Sequence, residues 1–169
     1  WPAPPEVPRF QYAGELIGEG NFQQPGEGTR KGVSGLLRWL AGLDESTQGR
    51  TVLQRPQAVT IDAQGRIFVS DASRQAVYVF DQKKGRLNLW ENATELSRFI
   101  SPAGIALGAA SDVYVADAEL GYVTQLDEMG KSLSVIGKGE LNRPIGLAFD
   151  VAARQLYVAD VHAHDIKVF

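Results

Sequence analysis

"YVADAELGYVTQLD" occupies Tyr114–Asp127, and "YVADVHAHDIKVF" occupies Tyr157–Phe169. Each opens with Tyr-Val-Ala-Asp, passes through a polar break and resumes as an alternating apolar run. One motif spelled twice is either a duplicated acidic site or two copies of one piece of scaffold. Laying the chain over itself separates the two readings.

Three segments align: Arg55–Trp90, Ser101–Gly137 and Arg143–Phe169. Their prolines, Pro56, Pro102 and Pro144, lie 46 and 42 residues apart. The aspartates Asp71, Asp117 and Asp160 lie 46 and 43 apart. Two independent markers keep nearly one period, so the acids belong to a repeat.

Each unit reads as short strands. After the proline comes a run of small residues: Ala58–Ile61, Gly104–Leu107 or Gly146–Phe149. A turn follows, in the first copy Asp62-Ala63-Gln64-Gly65, where glycine supplies a positive φ. The second strand, Ile67–Ser70, Val113–Ala116 or Leu156–Ala159, is β-branched and aromatic. The third is Val77–Phe80, Tyr122–Leu126 or Ile166–Phe169. The fourth is Leu87–Trp90 or Ser132–Ile136, and the third copy lacks it. The repeats thus span residues 53–92, 99–138 and 141–169, within a region 51–169.

Val77, Tyr78, Val79 and Phe80 are all apolar, so both faces of the small sheet need cover. A lone four-stranded sheet cannot supply that, whereas like sheets stacked around an axis can. Glycine and alanine suit the crowded innermost strand. The period and the strand count predict an all-β propeller of four-stranded antiparallel blades. A β-sandwich would not demand near-identical copies at fixed spacing.

The pattern also carries a family likeness. Pro-x-Gly-hydrophobic-Ala, a turn, and hydrophobic-Tyr-Val-Ala-Asp with a following apolar strand resembles the NHL repeat. Pro102–Ala106 with Tyr114–Asp117 matches it, as does Pro144–Ala148 with Tyr157–Asp160. In the first copy alanine replaces the glycine. The likeness covers about 110 of the 169 residues. Of the repeat's usual Asn-His-Arg after the aspartate, only His164 is kept. The resemblance implies six blades, so that three copies make about half a ring. It also implies a binding or scaffolding module whose specificity lies in its loops.

Residues 1–50 lie outside the repeats. "WPAPPEVPRF" has four prolines in eight residues and should be extended. Residues 9–17 resemble a fourth strand without a blade, suited to completing the last blade of an intact ring. Residues 33–43 are the one helix candidate: Leu36, Leu37, Leu40 and Leu43 recur at helical spacing after Ser34 as N-cap. That helix is either a cap on the barrel end or a partner-binding insertion displaying Trp39.

Composition excludes some classes. The formal net charge is -3 with basic residues scattered, which argues against a nucleic-acid surface. No apolar run approaches the roughly 20 residues of a membrane span. There is no cysteine, hence no disulfide or thiolate chemistry. Trp1 is not a usual translation start, so a processed or excised chain is expected, with any signal segment lost. The proline-rich start resembles a mature exported bacterial protein, which implies a periplasmic or envelope location.

Asp71, Asp117 and Asp160 each follow a strand and precede a break, where a carboxylate accepts local backbone N–H bonds. With Pro56, Pro102, Pro144, Gly104 and Gly146 they are expected to be structural repeat positions. Asp160 with His162 and His164 is the metal alternative, since alternate histidines share one side of an extended segment. No Ser-His-Asp order, paired glutamates or cysteine centre stands out, and no catalytic or cofactor residue is assigned. The expected function is a non-enzymatic scaffold for a protein or peptide partner, with no cofactor. A metal-dependent lactonase- or lyase-like propeller, using a divalent cation, is the alternative. Open blade faces are expected to self-associate.

Overall fold

Eleven strands form where the alternating runs predict them, in a computed structural model that describes residues 10, 12–22 and 51–169. The chain divides into two units, Trp1–Val52 and Leu53–Phe169.

The second unit holds all eleven strands. β1 (Pro56–Ile61), β2 (Ile67–Asp71), β3 (Ala76–Asp81) and β4 (Arg86–Trp90) form one antiparallel sheet in sequence order. β5 (Pro102–Leu107), β6 (Val113–Asp117), β7 (Tyr122–Leu126) and β8 (Ser132–Ile136) repeat it. β9 (Pro144–Asp150), β10 (Gln155–Asp160) and β11 (Asp165–Val168) form a third sheet of three strands. Every first strand begins at its proline, where the missing N–H is tolerated. Pro56, Pro102 and Pro144 stand opposite Asp71, Asp117 and Asp160, each beside an irregularity in the register.

The strands alternate faces, and this alternation builds two cores. Phe68, Val77, Val79 and Trp90 of the first sheet meet Phe99, Ile105, Val113, Val115, Tyr122 and Leu126. From the other face of the second sheet, Tyr114, Ala116 and Val123 meet Leu141, Leu156 and Val158. Phe68 tilts against Trp90 at 5.4 Å, and Tyr114 stacks on Phe149 at 5.2 Å. Both faces of β3 are buried, as its apolar run Val77–Phe80 requires.

First strands lie side by side, β1 by β5 and β5 by β9. Small residues permit this. A Cβ on Gly104 would stand 2.7 Å from the Ile145 carbonyl oxygen and 3.1 Å from Leu147 Cγ. At Gly146 the nearest atom is the Ala159 methyl, at 3.2 Å. Gly104→Ala is therefore expected to lose about 2 kcal/mol, because a backbone carbonyl must move. Gly146→Ala should lose well under half of that in the same urea titration. The hydroxyl of Ser70 adds a second tie between the sheets by donating to the Ala103 carbonyl.

In the first unit the described residues 12–17 carry no strand, and the completing role expected of residues 9–17 belongs to an intact ring. The Asn21 side chain accepts the N–H groups of Ile17 and Gly18, at 2.7 and 2.9 Å, drawing the chain into a turn instead of a ladder. Gly18 makes an isolated bridge with Val52, and a 3-10 turn spans Glu19–Phe22. The proline-rich residues 1–9, the helix expected over 33–43 and Trp39 lie outside the described residues.

Candidate functional site

The three repeat aspartates occupy one position in three sheets, at the end of β2, β6 and β10. They are not gathered at a common centre. Each is nearly fully buried and binds the segment leading into its own sheet. Asp71 accepts N–H bonds from Gln54 (2.6 Å) and Arg55 (2.9 Å) through Oδ2, and from Ser73 (3.0 Å) and Arg74 (2.9 Å) through Oδ1. Asp117 accepts from Ile100 (2.7 Å), Ser101, Glu119 and Leu120 (each 3.0 Å). Asp160 accepts from Asn142 (2.6 Å), Arg143 (3.0 Å), His162 (3.1 Å) and Ala163 (3.2 Å).

A carboxylate offers about four acceptor directions. Four backbone donors fill them, so these oxygens clamp the chain before the proline to the turn after the acid. Burial opposes the charge on Asp160, but the N–H groups of Asn142, Arg143, Ala163 and His162 outweigh it and bring the pKa to about 2. The folded value lies below the ordinary 3.8, so the contribution is present above that pH and is lost as pH falls through about 2. Its size is about 2 kcal/mol. Asp160→Asn should flatten acid unfolding between pH 4 and 2 by that amount, measured by chemical denaturation at each pH.

The alternate spacing of His162 and His164 does not run along an extended segment. Val161–His164 is a turn and not an extended segment, and His164 sits at φ 58, in the left-handed region. Both imidazoles are exposed, while Asp160 between them and the core is fully engaged. Among the described residues no group of three His, Cys, Asp or Glu is placed to hold a metal ion.

Other acids close local turns. Asp62 accepts from Gln64 and Arg66 backbone N–H and pairs with the Arg66 guanidinium at 2.6 Å. That guanidinium also donates to the Glu128 carbonyl of the second sheet, at 2.8 Å. Asp112 accepts from Gln125 at 2.6 Å, and Gln125 accepts from Ser134 at 2.8 Å. Burial, with the Asp112 carboxylate beside it, pushes the Tyr114 hydroxyl up to about 12.

One surface feature escaped the sequence reading. An open groove of about 770 Å³ runs along the third sheet, lined by Ala159, Asp160, Val161, His164, Asp165 and Ile166. Tyr157 and Val168 also expose apolar surface on that sheet. Leu53, Phe99 and Leu141 each stand three residues before a repeat proline, and the latter two are core residues.

Residues 141–169 match the family model described as the NHL repeat. No curated protein sequence matches the chain. Solved structures do. A catalytically inactive H270A virginiamycin B lyase from Staphylococcus aureus, with quinupristin, is similar at TM-score 0.54 and 15% identity, over 68% of this chain and 40% of that one. Kuenenia stuttgartiensis hydrazine synthase is similar at TM-score 0.55 and 20% identity, over 74% and 35%. A streptogramin B lyase is similar at 0.53 and 13%, over 72% and 44%. The chain spans less than half the length of each of these structures. At such identities the likeness is one of fold. With three like sheets stacked first strand by first strand, the second unit is a run of β-propeller blades, the last of which matches the NHL repeat.

Proposed function

We propose that the chain is part of a six-bladed NHL-type propeller serving as a non-enzymatic scaffold for a protein or peptide partner. The observation that supports this most is the state of Asp71, Asp117 and Asp160. All three carboxylates are filled by backbone N–H donors, which makes the most regular acids part of the framework. What remains for recognition is the loops and turns that the blades hold in place. A periplasmic or envelope location belongs to the same reading and rests on the proline-rich start.

The second reading is a metal-dependent lyase- or lactonase-like propeller, favoured by the lyases among the similar structures. It requires ligands from residues other than the repeat aspartates. Elemental analysis of chain purified without chelator separates the two. The scaffold reading expects no stoichiometric divalent ion. One calcium or zinc retained per chain through gel filtration would favour the enzyme.

A further inference from the structure

The residue before each repeat proline is fixed from two sides. The N–H groups of Arg55, Ser101 and Arg143 donate to Asp71, Asp117 and Asp160. Their carbonyls accept from the N–H groups of Ala72, Ala118 and Val161, at 3.2, 3.0 and 3.1 Å. The same clamp therefore holds the same position in every blade. Those positions lead into β1, β5 and β9, the first strands that lie side by side, so they stand in an arc at one end of the axis. Blades join through their faces, so this end stays open when a ring closes.

The arc carries Arg55 and Arg143 on either side of Ser101, and Gln54, Ile100 and Asn142 precede them in the chain. Both arginines are exposed, and neither guanidinium has an ion pair or a hydrogen bond among the described residues. Arg66 and Arg98, in contrast, are paired with Asp62 and Glu91 at 2.6 and 2.7 Å. The three carboxylates beneath the arc are buried, and their oxygens are turned to backbone donors.

A guanidinium is a planar fork that matches two carboxylate oxygens, and a backbone held in advance lowers the ordering cost of binding. The exposed side chains of Gln54 and Asn142 add amide donors, and Ile100, 46% exposed, adds an apolar contact between them. None of these residues is aromatic, so the arc offers no platform on which bases stack. That favours an acidic peptide over a single-stranded nucleic acid.

We infer that the arc of Arg55, Ser101 and Arg143 binds an acidic peptide segment, with a carboxylate on each guanidinium. This rests on the scaffold reading above and names the surface and the chemistry of the partner.

The test is fluorescence anisotropy with a labelled, capped peptide of alternating glutamate and serine, added to the full 169-residue chain in the presence of a chelator. Arg55→Gln, Arg143→Gln and the double variant keep the backbone clamp, so their circular dichroism melts should match the native one. Lys83→Gln with Arg86→Gln is the control, since it removes two exposed charges at the opposite end of the first blade. Each single arginine variant should bind about tenfold more weakly and the double variant about a hundredfold, while the control changes by less than about twofold. A peptide with glutamine in place of glutamate should bind the native chain at least about tenfold more weakly. Absence of binding to the native chain overturns the inference, as does an equal loss in the control. A uridine oligonucleotide that binds through the same arginines more tightly than the peptide overturns it too. Any of these failures leaves the metal content, on which the scaffold reading turns, where it was.

Discussion

Asp117→Ala is expected to destabilise the chain by about 4 kcal/mol, among the largest losses available to a single substitution here. The side chain is fully buried in the middle blade and holds the N–H groups of Ile100, Ser101, Glu119 and Leu120. Alanine leaves these donors without their acceptor, and each unmet buried group costs about 1–3 kcal/mol. Partial access of water to the turn limits the sum. For a chain of this size the loss corresponds to a melting point roughly 10 °C lower. Asp117→Asn keeps one acceptor but turns an NH2 toward donors, so its loss should fall between native and alanine. An acid with a catalytic role would give the opposite result, with stability held or raised when it is removed. Guanidinium unfolding of the three proteins reads the difference.

Phe99→Ala should be of similar size, about 4 kcal/mol. Phe99 is buried in the first core with Val77 and Trp90, and it is the residue that seats the second blade on the first. Truncation leaves a cavity between two sheets whose backbones are fixed by ladders, so little collapse relieves it. Leu96, three residues earlier, is 99% exposed and serves as the control. Leu96→Ala should leave the unfolding midpoint unchanged. If Phe99→Ala were as mild as Leu96→Ala, Phe99 would not hold the first two blades together.

Much of the fold was legible because the repeat writes each feature several times. The proline opens the first strand, the β-branched run makes the second, and the aspartate closes the turn, all at local spacing. The missing fourth strand of the third blade could be read for the same reason. Alternation puts His162 and His164 on one side only in extended chain, and Asp160 instead draws Val161–His164 into a turn. Residues 9–17 resemble a strand by composition, and a strand exists only with a ladder partner, which for this stretch is the last blade of an intact ring. The groove was hidden for another reason. Phe99 and Leu141 look like ordinary linker apolars until the blade faces that receive them are known.

Amide hydrogen exchange at the residues before the repeat prolines tests the scaffold role of the acids most directly. Gln54, Arg55, Ile100, Ser101, Asn142 and Arg143 lie outside the strands, and among the described residues their N–H groups donate to the carboxylates of Asp71, Asp117 and Asp160. In metal-free buffer all six should exchange as slowly as neighbouring ladder amides, and each pair should be released by replacing its own aspartate alone. Fast exchange that slows only when a divalent ion is added would contradict this, by showing carboxylates that wait for a metal.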